Sequence, residues 1–292
     1  MVMPIKQIPN RCIWCLREPP SATFNSESHV LPECVGNKRQ QVLLPGIVCD
    51  DCNSCFGGKV EGALIDDPIF GAIVGVLQLR DKKSEFVYEH SPSGVHRIAN
   101  MEAEVSPNRV NIVIKYEITG QPDKPNDVRV IEKSKDYDSR ALALLSRAVH
   151  KLAFESLAHS LFVKSGLKFE HIDLKNIDIF DSRFNSVRKW VRYGKPQRCV
   201  RSVLRLQKFD EIKTQEELFQ WGGELRYFQQ WFRYELNLFG DWYIMSLTSP
   251  AYKVDGDLRS WAARTKFTQS VWMVGNKLYP LSIKGVKGAP AP

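Results

Sequence analysis

The chain has 292 residues, 43% hydrophobic and 25% charged, with a formal net charge of +8. That is the profile of a soluble globular protein long enough to bury a real core, in one large domain or two ordinary ones. The longest apolar run, residues 69–79, is too short to cross a bilayer, and Met1–Gln7 lacks an apolar core of signal-peptide length. A cytoplasmic protein with no membrane partner is therefore expected.

Residues 1–9 read as a short arm, and residues 10–80 as a cysteine module. Cys12 and Cys15 form one C-x2-C pair, and Cys49 and Cys52 form a second. Each pair presents two thiolates from one tight turn, and two pairs can hold one structural zinc ion in a closed tetrahedral site. Seven cysteines at this length, four of them in knuckle spacing, favour metal over disulfides and suit a reducing compartment. Cys55 is the alternative ligand, although Cys49 and Cys52 pair better with the first knuckle. Cys34 and Cys199 read as buried thiols.

Between the pairs, Phe24, Val30 and Leu31 suit a hairpin arm around His29 that ends at Pro32. Gly36-Asn37 reads as a turn, and residues 42–48 as a returning strand broken at Pro45-Gly46. From Asp50 or Asp51 a helix capped by an aspartate is expected to run through Asn53, Phe56, Val60 and Leu64, weakened at Gly57-Gly58.

Beyond the module, strands are expected at residues 86–88, 110–116 and 128–131. Asp138-Ser139 can cap a long amphipathic helix over 140–164, with Leu142, Leu145, Val149, Leu152, Leu157 and Leu161 as its apolar side. A second helix covers 181–193 and stops at Gly194. Strands follow at 200–206, 234–238 and 242–247, and the aromatic run from Trp221 to Tyr234 reads as core. Residues 81–283 thus form a larger mixed α+β domain, and 284–292 a flexible tail.

The charge is uneven. Residues 1–66 hold six Lys/Arg against seven acids, so the excess lies in the body, which suits a polyanion partner. Residues 183–208 carry nine Lys/Arg and no acid. Arg183, Arg188, Lys189, Arg192, Lys195, Arg198 and Arg201 are the candidate phosphate contacts, with Trp190 and Tyr193 interleaved. Arg147, His150 and Lys151 make a smaller basic patch.

The order Cys pair, His29-Val30-Leu31-Pro32, Cys pair and then Asn53 resembles the HNH endonuclease superfamily of ββα-metal nucleases, in its cysteine-bearing version. The resemblance covers roughly residues 11–66. It implies an α+β fold class: an N-terminal ββα-metal HNH module with structural zinc, followed by the basic domain that positions nucleic acid. It implies His29 as general base, since a neutral imidazole can accept a water proton near neutral pH. It implies Asn53 as ligand of a catalytic magnesium or manganese ion, and Cys12, Cys15, Cys49 and Cys52 as zinc ligands. The activity implied is phosphodiester hydrolysis in DNA, by default double-stranded, in restriction or phage defence. Where the family commonly has a metal-binding acid or histidine before the catalytic histidine, this chain has Ser28. Glu27, Glu33 or Glu61 can supply the charge that a hard cation needs. The family's middle Asn has Asn37 as its nearest candidate. The alternative reading is a non-catalytic zinc-knuckle nucleic-acid binder, and a weaker third is a protein-interaction module.

Overall fold

The computed structural model describes residues 9–32, 42–43, 46–67, 95–106, 109–119, 127–136, 138–162, 177–194, 203–207, 221–228, 231–238, 241–248, 269–274 and 277–282. The expected strand at 86–88 and the tail 284–292 lie outside the described residues, as do Glu33, Asn37, Cys34, Cys199, Lys195, Arg198 and Arg201.

The module opens with the first knuckle, whose turn is closed by Leu16 N–H on the Cys12 carbonyl at 2.9 Å and by Cys12 N–H on the Arg17 carbonyl at 3.0 Å. A minimal hairpin follows: β1 (Ser28–His29) pairs antiparallel with β2 (Val42–Leu43), placing His29 opposite Val42 and Ser28 opposite Leu43. Helix α1 (Asp50–Lys59) then starts from the second knuckle. Hairpin then helix is the expected order.

Two local details differ from expectation. Cys49, not an aspartate, occupies the N-cap of α1, and no side chain caps the helix. Asp50 turns back instead and accepts from the main-chain N–H of Asn25 at 3.0 Å and of Ser26 at 2.8 Å. The helix also tolerates Gly57-Gly58 and breaks later. The N–H groups of Val60 and Glu61 both reach the Phe56 carbonyl, and a separate turn of helix, α2 (Gly62–Ile65), follows.

Strands β3 (Val95–Ser106), β4 (Arg109–Thr119) and β5 (Asp127–Asp136) form an antiparallel meander with β4 in the middle. Helix α3 (Ser139–Phe162) is capped by Asp138, which accepts from Ala141 N–H at 2.7 Å. A 3-10 turn at Ser182–Phe184 leads into α4 (Asn185–Tyr193). It ends at Gly194, whose φ of 65° is a left-handed conformation that glycine adopts without strain. The second sheet has six antiparallel strands: β6 (Val203–Gln207), β7 (Trp221–Phe228), β8 (Trp231–Leu238), β9 (Asp241–Ser246), β10 (Gln269–Val274) and β11 (Lys277–Ser282). Their order is β11-β10-β6-β9-β8-β7.

Among the described residues helix α3 has α2, α4, β7 and β8 all packed on it. All six leucine and valine positions of its expected apolar side are buried, and so are Ala148, Ala153, Phe154 and Ala158. A helix buried on most of its circumference must also bury polar residues, and each needs a partner. Ser156, for example, accepts from the Tyr234 hydroxyl of β8 at 2.6 Å.

One apolar core runs through the module, the helices and the six-stranded sheet. Its spine is aromatic. Trp14 of the first knuckle meets Phe56 of α1 and Phe154 of α3 edge-on, each with ring centres 5.0 Å apart. Phe154 meets Phe184 at 5.4 Å, and Phe184 stacks on Phe232 of β8 at 5.6 Å. Phe232 and Tyr234 of the expected aromatic core are buried.

Zinc knuckle and candidate active site

Cys12, Cys15, Cys49 and Cys52 converge, their sulfurs all within 4.8 Å of one another. Thiolates around a tetrahedral zinc with bonds of about 2.3 Å sit about 3.8 Å apart, so the cluster is close to the needed size. Cys15 and Cys49 approach to 3.6 Å, far beyond a covalent S–S bond, and all four are free thiols. Cys55 is exposed and takes no part.

Without a cation, four such sulfurs cannot share their negative charge. A hydrogen bond from Cys52 lowers the Cys12 thiol to about 5, whereas that bond and burial hold Cys52 protonated. Burial also pushes Cys49 up to about 11. A central dication removes this conflict, and thiolates are its preferred donors. Cys49 and Cys52 stand at the start of α1, where the helix dipole favours negative charge. The residues fit a structural zinc.

The same helix start reaches the hairpin. Asn53, in the first turn of α1, donates its amide Nδ2 to the Glu27 carbonyl at 3.1 Å and to Ser26 Oγ at 3.3 Å. Ser26 Oγ gives its own proton to Asp50 Oδ1 at 2.6 Å, so it can only accept from Asn53. Both contacts therefore demand the NH2 side of the amide, and Asn53 Oδ1 is left as the side that can meet a cation. The Ser26 hydroxyl, with the Thr23 side chain and nearby N–H groups, also holds the Asp50 carboxyl well below the usual range. Asp50 and Asn53 thus clamp the backbone that leads into β1 and His29.

The hairpin sorts the other candidates. Successive strand side chains face opposite sides. Ser28 is buried, and its hydroxyl has no hydrogen-bond partner among the described residues, whereas His29 is half-exposed. Ser28 therefore faces the interior rather than the side of His29. Glu27 is exposed, two residues before His29 and tied to Asn53 through its carbonyl. Glu61 is taken up by an ion pair: its Oε1 lies 2.6 Å from Lys151 Nζ.

Lys151, on α3, is 1% exposed and sits between two carboxylates, with Glu155 Oε2 at 2.9 Å on its other side. Its Nζ also donates to the main-chain carbonyl of His29 at 2.9 Å. Glu155 accepts in addition from Trp14 Nε1 at 2.9 Å. Burial would push the Lys151 ammonium down, but Glu155 and Glu61 more than offset it, and the net shift is upward. Burial raises Glu155 to about 7 against the opposing pull of Lys151. Sequence reasoning set Lys151 in a surface basic patch. Lys151 lies on the side of α3 opposite that expected apolar stripe, so the pattern gave no signal of its burial.

Arg188 is a second correction. It is 3% exposed and engaged with backbone, not turned to solvent for a phosphate. Its Nε donates to the Ile13 carbonyl at 2.7 Å, its Nη1 to the Asp181 carbonyl at 3.1 Å, and its Nη2 to the Ile179 carbonyl. Desolvation lowers it to about 10, which leaves it charged. His150 and Lys151 are likewise buried, and Arg147 donates to the carbonyls of Val191 and Arg192 at the end of α4. Trp190 is buried too. What α4 exposes is Asn185, Lys189 and Tyr193, with the Arg192 guanidinium 4.7 Å above the Tyr193 ring. Arg183 is exposed but paired with Asp181 at 3.1 Å.

Among the described residues no helix is long and apolar enough to cross a membrane. Residues 12–68 match the family model of an HNH endonuclease, about a fifth of the chain. The matched span holds both knuckles, β1, β2, α1 and α2. No curated protein and no solved structure matches the chain.

Proposed function

We propose that the HNH endonuclease module hydrolyses phosphodiester bonds in DNA, with double-stranded DNA as the substrate of first choice. His29 is the general base: its imidazole takes the proton of an attacking water. Asn53 Oδ1 and the Glu27 carboxylate are the groups that would hold a magnesium or manganese ion. When bound there, such an ion supplies positive charge at the scissile phosphate and the leaving oxygen. Zinc at the four cysteines is structural, because four thiolates leave no open position.

The observation that carries this reading is the Asn53 amide fixed to the two residues just ahead of β1. It draws the helix start and the histidine strand together and orients the one amide atom able to bind a hard cation. Glu27 takes precedence over Ser28 and Glu61 because it is exposed beside that junction, whereas Ser28 is buried and Glu61 is paired with Lys151. Lys189, Arg192 and Tyr193 on the open side of α4 are the proposed backbone contacts. Restriction or phage defence is the proposed setting.

The test is cleavage of supercoiled plasmid with added magnesium or manganese. Wild type is expected to nick and linearise it. His29→Ala is expected to lower the rate by about 10²–10⁴-fold, with zinc content and melting temperature unchanged. Salt-sensitive DNA binding without cleavage would instead mean a non-catalytic binder. No DNA binding at low salt would mean a protein-interaction module.

A further inference from the structure

We propose that Lys151 is a positioning residue that sets the main chain of His29, so that the proposed general base is held by the second half of the chain. The proposal rests on the nuclease reading for its catalytic consequence, but not for its geometry. Residue 151 lies far outside the span that matches the HNH endonuclease model. Its ammonium nevertheless reaches the carbonyl of the residue proposed to do the chemistry.

The chemistry of the contact explains why this is more than packing. Among the described residues strand β1 is two residues long and pairs with the two residues of β2, and the Lys151 ammonium adds a tie to the His29 carbonyl from outside the hairpin. A buried ammonium is strongly disfavoured by desolvation unless it is paired and hydrogen-bonded. Glu155 and Glu61 provide the charge, from α3 itself and from the α1–α2 junction, and the His29 carbonyl accepts a further hydrogen bond. Three acceptors around one ammonium leave it no alternative placement. Glu155 is fixed in turn by the Trp14 indole N–H, from within the first knuckle. One buried lysine therefore ties together α3, the zinc knuckle, the end of α1 and the histidine strand.

A general base must be held within a few tenths of an ångström of its productive position, and small displacements cost large factors in rate. The ammonium acts through the main chain of His29. It is itself buried from solvent.

The test uses the full-length zinc-loaded protein and compares wild type with Lys151→Met/Glu155→Gln. This double variant removes both buried charges together and keeps an acceptor for Trp14. The expected result is a normal zinc content, a cooperative melt and a kcat for plasmid nicking lowered ten- to a hundredfold with KM little changed. The ring signal of His29, assigned with His29→Ala in a histidine-labelled sample, is expected to move or broaden. A folded double variant with an unmoved His29 signal and unchanged kcat overturns the proposal. Should the double variant not fold, Glu61→Gln decides. It keeps the Lys151–Glu155 pair and alters only the partly exposed carboxylate. A two- to fivefold loss in kcat with a displaced His29 signal supports the proposal, and no change in either overturns it. If wild type cuts no DNA but the His29 signal moves in the variants, the positioning stands and only the nuclease reading falls.

Discussion

Arg188 of α4 donates its Nε proton to the carbonyl of Ile13 at 2.7 Å, between the cysteines of the first knuckle. The module is thus gripped from the second half of the chain by Arg188 and Glu155 at the knuckle and by Lys151 at the histidine strand.

Arg188→Ala is expected to lower stability by about 3 kcal/mol or more, because it strips several buried carbonyls of their donor and leaves a cavity. Lys189→Ala, one residue away on the exposed side, is expected to change stability by less than about 0.5 kcal/mol. It should lower DNA affinity and reduce the salt slope by about one. Urea titration and salt-dependent DNA binding separate the two effects. Equal stability of both variants would contradict the burial of Arg188.

Zinc should be present at one ion per chain. Cys12→Ala or Cys52→Ala is expected to abolish it and lower the melting temperature by ~10 °C or more, since metal affinity and module folding are one free energy. Cys55→Ala should leave both unchanged, because the Cys55 thiol points to solvent. Elemental analysis with thermal melts checks this.

Asn53→Asp adds the charge a hard cation prefers, yet it is expected to be worse than wild type. A carboxylate cannot donate to Ser26 Oγ or to the Glu27 carbonyl and would face Asp50 across the same hydroxyl. A loss of about 1–2 kcal/mol in stability is expected, together with loss of plasmid nicking. A variant as stable as wild type would show that the amide does not hold the loop.

Glu155 gives a pH dependence of definite sign. Its folded pKa is raised, to about 7, so between about 4.5 and 7 the folded protein binds more proton than the unfolded one. Stability from this group is complete below pH 4.5 and is lost as pH rises through 7, by on the order of 3 kcal/mol. The charges facing it are Lys151, which stays protonated, and Glu61. Glu155→Gln should flatten that slope in urea midpoints taken from pH 4.5 to 8. An unchanged slope would mean that Glu155 is ionised throughout.

Local signals were legible in the residues alone. The two C-x2-C pairs predicted the sulfur cluster, Asp138 the cap of α3, and Gly194 the end of α4. Strand β4 showed its alternation, whereas β3, β7, β10 and β11 carried no pattern strong enough to read, because their neighbours in the sheet define them as much as their own residues do. At α1, proximity in sequence misled: Asp50 has the chemistry of a cap, but Asn25 and Ser26 offered its carboxylate better donors.

The amino-acid sequence by itself determined the knuckle, because metal ligation and turn chemistry act over a few residues. Only the tertiary structure decided which basic side chains are buried and what they hold. Whether a lysine or arginine meets solvent or a carbonyl depends on which elements pack around it. Lys151 reaches the His29 carbonyl and Arg188 the Ile13 carbonyl, each more than a hundred residues away along the chain.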